Sequence, residues 1–114
     1  MAHTLNKTTM IQSKTFSERV VELALSIPEG RVTTYGALAK AAGGGERAAM
    51  SITSILGRAY KKGQADIPFH RIVYSDGRVW MNESYKERRL KQYEDEGIEL
   101  DSKGRIVNFY DIVV

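Results

Sequence analysis

Three consecutive glycines, Gly43-Gly44-Gly45, divide one short helical pattern from another. Glycine reaches positive φ without a Cβ clash, so such a run stops a helix and turns the chain sharply. Before it, Thr33 or Thr34 can cap a helix carrying Leu38, Ala39 and Ala42. After it, a helix is expected from about Arg47 to Lys62, with Ile52, Ile55, Leu56, Ala59 and Tyr60 as its inner stripe. Arg47, Met50, Ser51, Ser54 and Arg58 fall on its other side. Helix, glycine turn, helix with a basic outer face is the helix-turn-helix pattern, although plain helical bundles also contain it.

The flanking sequence supplies the remaining elements. Thr15-Phe16-Ser17-Glu18 has capping-box spacing, and Phe16, Val20, Leu23, Ala24 and Ile27 follow at helical intervals. Pro28-Glu29-Gly30 ends that helix, and Arg31-Val32-Thr33 is an extended link. Ile72-Val73-Tyr74 reads as a strand, Ser75-Asp76-Gly77 as a turn, and Arg78-Val79-Trp80 as a returning strand. Ser84-Tyr85-Lys86-Glu87 repeats the capping-box spacing. It opens a helix with Leu90 and Tyr93 inward, Lys86, Arg88, Arg89 and Lys91 outward, and Gly97 as its cap. Asp101-Ser102-Lys103-Gly104 is the turn of a small hairpin. The expected fold is mainly α with a small β element, a winged helix-turn-helix-like DNA-binding domain over residues 15–114. Residues 1–14 are expected to form a flexible tail.

Composition narrows the chemistry. The 114 residues include no Cys, which excludes disulfides and thiolate metal sites and fits a cytoplasmic protein. With only His3 and His70, no metal site is expected. No apolar run approaches the roughly 20 residues that span a bilayer, so no membrane partner is expected. The net charge of +3 is unevenly spread. Between Arg31 and Lys62 six basic residues face one acid, Glu46, whereas Glu94 to Asp101 holds five acids and no base. A basic middle suits a polyanion; an ordinary solvated surface is the plainer alternative.

Pro68-Phe69-His70-Arg71 carries the strongest chemical information. His titrates near neutral pH, and a reactive residue before it would make a nucleophile–base pair. Phe69 can neither attack nor ionise. No catalytic residue is therefore assigned.

Ile27-Pro28-Glu29-Gly30-Arg31-Val32-Thr33-Thr34-Tyr35-Gly36, then Ala48-Ala49, Ile67 to Val73, Ser75-Asp76-Gly77 and Glu96-Gly97 occur in a specific order. Together they resemble the DNA-binding domain of O6-alkylguanine-DNA alkyltransferases over about residues 15 to 100. That resemblance implies a Cys between the Pro and the His, which takes the alkyl group from a flipped guanine while His and Glu polarise it. The matching residues are Phe69, His70 and Glu96. The chain is thus most similar to alkyltransferase-like proteins, which carry Trp in place of that Cys. They bind alkylated guanine without repairing it and flag it for nucleotide excision repair.

The resemblance also implies the site. Phe69, His70, Tyr35, Ser75, Trp80 and Glu96 would line the lesion pocket, with Tyr35 near the rotating nucleotide's phosphate. Thr34, Tyr35, Arg47, Met50, Ser51, Ser54 and Arg58 would meet the DNA. Met50 stands where the family has an Arg that fills the gap left by the flipped base; Met can act as an apolar wedge, and Arg47 can substitute for the Arg. Trp80 falls in a loop where the family often has small residues, so it either stacks on the base or fills the pocket. The expected partners are double-stranded DNA carrying O6-alkylguanine and nucleotide excision repair proteins, bound by a monomer without a cofactor. The alternative is a winged-helix regulatory module with no lesion recognition. Alkyl transfer to another residue would lack a thiolate acceptor.

Overall fold

A computed structural model describes residues 14–114. The expected tail, His3 included, lies outside these residues except for Lys14. Helix α1 spans Phe16–Leu25, and its start follows from the capping box: Thr15 accepts from the Glu18 amide at 3.1 Å while Glu18 accepts from the Thr15 amide at 3.0 Å. Strand β1 (Thr33–Thr34) leads directly into α2 (Tyr35–Ala41), which Thr34 caps by accepting from the Ala37 amide.

Residues Glu46–Ser51 form a 3-10 helix, and α3 covers Ile52–Lys61. The α-helix expected from Arg47 therefore begins five residues late. The crowded glycine turn fits the tighter coil: a Cβ on Gly44 would stand 2.5 Å from the Ala48 Cβ and 2.8 Å from the Phe16 ring. A second 3-10 turn, Phe69–Arg71, feeds strand β2 (Ile72–Val73). The last helices are α4 (Lys86–Asp95) and α5 (Phe109–Ile112).

Strands β1 and β2 pair in parallel, Thr33 with Ile72 and Thr34 with Val73. The C-terminal residues extend this edge. Val32 bridges Val113, and Val114 donates its amide to the Val32 carbonyl at 2.8 Å. The sheet separates two cores. One joins α1, α2 and α3 through Val20, Ala24, Leu38, Ile52, Ile55 and Leu56. The other packs Val32, Val73 and Val79 against Tyr93, Ile98, Ile106 and Phe109.

Four local expectations are corrected. Arg78–Trp80 does not return as a ladder beside Ile72–Tyr74: the Tyr74 amide reaches the Arg78 carbonyl, and Arg78 then bridges Arg105 of the 100–106 hairpin. Ser84 caps nothing, because α4 starts at Lys86 and Asn82 takes the Tyr85 amide. Leu90 is exposed and Arg89 half-buried, since α4 meets the fold along Arg89, Gln92, Tyr93 and Glu96. Tyr60 is half exposed at the rim of its core.

Candidate nucleic-acid interface and base pocket

The Pro68–Arg71 turn is held by one carboxylate. Glu96, at the C-terminal end of α4, receives hydrogen bonds from Arg71 Nε at 3.0 and 3.2 Å, from Arg71 Nη2 at 3.0 Å and from the Gly30 amide at 2.8 Å. The His70 Nε2 joins the same carboxylate. Arg71 Nη1 donates onward to the Ile27 carbonyl at 2.8 Å, and the Tyr93 hydroxyl to the His70 carbonyl at 2.6 Å. These bonds tie the 27–30 turn, the 69–71 turn and α4 into one unit.

The charges divide cleanly. Burial works to raise the Glu96 pKa, but hydrogen bonds from Arg71, Gly30 and His70 prevail and hold it at about 2. Burial lowers the His70 pKa, and the pull of Glu96 in the other direction only partly offsets it. Arg71 therefore balances the carboxylate, and burial favours the neutral form of His70. The bond to Glu96 places the proton on Nε2 and leaves Nδ1 as acceptor.

Phe69 faces the other way. Its half-buried ring joins the helical core and meets Tyr60 edge-on, centroids 6.0 Å apart. Tyr35 opens α2 and packs on Tyr74 at 5.5 Å, with exposed Ser75 next in the chain. Trp80 enters neither core. It lies 6.2 Å from the Tyr85 ring, with the Arg89 guanidinium 5.5 Å from its own ring.

In the 3-10 helix of the helix-turn-helix unit, Arg47 is exposed and Met50 is 86% exposed. Residues three apart eclipse one another in a 3-10 helix, so these two side chains leave the same edge. Ser51 and Ser54 donate their hydroxyls back to Ala48 and Ser51 carbonyls, and the Thr34 hydroxyl serves as a cap. Arg58 rims a surface groove shared with α1.

The structure thus joins His70 to Glu96, while the ring of the adjacent Phe69 packs into the helical core beside Tyr60. It gives Tyr35 and Trp80 separate neighbours: the Tyr74 ring for Tyr35, and the Tyr85 ring with the Arg89 guanidinium for Trp80. Sequence reasoning missed Arg71 as the main partner of Glu96, Gly30 as an amide donor, and the roles of Tyr74 and Arg89. The adjacency of Arg71 to His70 was the one available signal; the others depend on contacts distant in sequence.

Residues 15–98 match the family described as 6-O-methylguanine DNA methyltransferase, DNA binding domain. A DNA base-flipping protein of Escherichia coli is 33% identical over 97 residues, which cover 85% of this chain and 73% of that protein. A DNA base-flipping protein of Vibrio parahaemolyticus is 30% identical over 91 residues, 80% of this chain and 88% of that one. The fold matches S. pombe Atl1 in its complex with damaged DNA containing O6-carboxymethylguanine, with a TM-score of 0.70 at 24% identity, covering 87% of this chain and 94% of that one. A complex of S. pombe ATL with DNA matches at a TM-score of 0.62 and 25% identity, with the same coverage.

Proposed function

From the chain's membership of the 6-O-methylguanine DNA methyltransferase DNA-binding-domain family, we propose that it is a non-enzymatic damage sensor that flips O6-alkylguanine out of duplex DNA and binds it. One observation carries this reading. The largely buried Arg71–Glu96–His70 network holds the turn where the family resemblance places a reactive Cys, yet the residue at that position is Phe69 and the chain has no Cys. A frame of this precision around a ring that cannot accept an alkyl group serves binding.

Physical terms support the reading. Taking a base out of the stack costs a few kcal/mol, and aromatic contact returns about 1–3 kcal/mol per base. Phe69, Tyr35 and Trp80 supply aromatic surface, and Arg47 and Met50 supply charge and an apolar wedge where a recognition element meets DNA. Relatives that bear the name DNA base-flipping protein fit the same role. The protein acts as a monomer in the cytoplasm, on DNA, and hands the lesion to nucleotide excision repair proteins.

Binding to duplexes that differ only in O6-methylguanine or guanine tests the proposal. Tighter binding to the lesion duplex, with no mass gained by the protein, is the expected result. Equal affinity for both sinks lesion recognition, and a gain of one methyl sinks the non-enzymatic reading. The exposed Met50 in place of an Arg favours a second reading, a winged-helix module without lesion recognition. Its mark is preference for an unmodified sequence.

A further inference from the structure

Tyr35 and Tyr74 are brought together by the register of the sheet. Thr33 pairs with Ile72 and Thr34 with Val73, so the residue that follows each strand, Tyr35 or Tyr74, leaves the sheet at the same level. Their rings pack 5.5 Å apart at 43°. A shift of one residue would send one ring to the opposite face of the sheet. Tyr35 therefore does not stand alone at the start of α2; it has an aromatic wall built into its strand pairing.

The wall is itself braced. The Arg78 guanidinium sits 5.7 Å from the Tyr74 ring centroid, on the cation–π geometry. Asp76 fixes that guanidinium, accepting from Arg78 Nε at 2.8 Å and from the Arg78 amide at 3.1 Å. Two backbone bonds close the turn beneath: the Tyr74 amide to the Arg78 carbonyl and the Gly77 amide to the Tyr74 carbonyl, both 2.9 Å. Asp76, Arg78, Tyr74 and Tyr35 form a single relay from the turn to the first residue of α2. The Tyr74 side chain remains two-fifths exposed although it touches Tyr35 and Arg78. An exposed aromatic this closely supported contributes little core and much orientation.

We propose that Tyr74 is a positioning residue for base rotation: it fixes the Tyr35 ring where the target nucleotide turns, with Arg78 holding Tyr74 in place. The inference rests on the base-flipping function proposed above. Tyr35 meets the DNA, and Tyr74 acts through it. Pre-setting one aromatic rotamer removes the ordering that binding would otherwise require.

A duplex carrying O6-methylguanine next to 2-aminopurine reads base rotation as a rise in fluorescence, and binding to the same duplex reads affinity. Tyr74→Ala is expected to weaken lesion binding about 3- to 10-fold, the scale of one aromatic pair, and to lower the fluorescence rise, with the thermal midpoint little changed. Tyr74→Phe restores both. In a Tyr35→Ala background, Tyr74→Ala adds nothing, because its route to the DNA has gone. Full fluorescence and affinity in Tyr74→Ala overturn the inference alone, as does an undiminished effect of Tyr74→Ala when Tyr35 is already Ala. A wild-type protein that gives no rise on the lesion duplex overturns the base-flipping function and the inference with it.

Discussion

The Glu96 carboxylate accepts the Gly30 amide at 2.8 Å across 66 positions of sequence, while Arg71 closes on the same two oxygens. The turn before β1 and the turn carrying Phe69 are thereby fixed to one side chain. Glu96→Gln removes its charge, leaves the largely buried Arg71 guanidinium unbalanced and weakens the Gly30 tie. Stability is expected to fall by about 3–5 kcal/mol, the range for breaking a buried ion pair from one side. Urea unfolding measures it. A loss under about 1 kcal/mol, the scale of a surface pair, would show that the network holds little of the fold.

The same network sets a pH dependence. Glu96 is held at about 2 in the folded protein against an ordinary 4.5. Its contribution is complete above 4.5 and is lost as pH falls from there toward 2. His70 is held below its ordinary 6.5, so the unfolded chain takes up its proton first and stability begins to fall as pH drops through 6.5. Both effects weaken the fold in acid. Urea midpoints should stay level at neutral pH, decline below 6.5 and decline again below 4.5. Glu96→Gln should shrink the lower decline to the part left by Glu18, Asp76 and Asp101, whose pKa values are also lowered by their hydrogen bonds.

Gly77 has φ +87°, and a Cβ there would stand 2.9 Å from the Phe109 ring. Gly104 has φ +77° with nothing within 4 Å of its would-be Cβ. Gly104→Ala is expected to cost about 1 kcal/mol for the backbone alone. Gly77→Ala adds a clash inside the second core and is expected to cost about 2–4 kcal/mol. Thermal unfolding of both variants separates the terms; equal losses would mean that Phe109 moves aside freely.

Arg47 and Met50 leave one edge of the 3-10 helix with different chemistry. Arg47→Ala should reduce the slope of log affinity against log salt by about 1, on damaged and undamaged duplexes alike. Met50→Ala should weaken binding without changing that slope. Met50→Arg should steepen the slope by about 1 and tighten binding. An unchanged slope in Arg47→Ala would place Arg47 off the DNA.

The helical parts were legible because their signals are local. The Thr15–Glu18 box, the glycine run at 43–45 and the inner stripe Ile52-Ile55-Leu56 each need only neighbours in the chain, and each appears as read. The family frame was legible for a similar reason, since motif order and spacing lie on the chain. Errors arose where tertiary contact overrides a local pattern. Ser84 matched a cap, but Asn82 took the amide. Leu90 had an inward period, but α4 docks along the stripe of Arg89 and Tyr93. Arg78–Trp80 looked like a return strand, but the 100–106 hairpin offered Arg78 a different partner.

The chain alone specifies a helix-turn-helix frame, a non-nucleophilic residue before His70 and a basic middle, because residue type and spacing are properties of the covalent sequence. It does not specify which cation balances Glu96 or which ring flanks Tyr35. Arg71 and Gly30 meet at Glu96, and Tyr74 meets Tyr35, through the pairing of β1 with β2 and the docking of α4. Those contacts join segments 25 to 66 residues apart for the Glu96 network. Hydrogen-bond direction and ring packing act over a few ångströms, so such partners exist only once the folded backbone has brought them together.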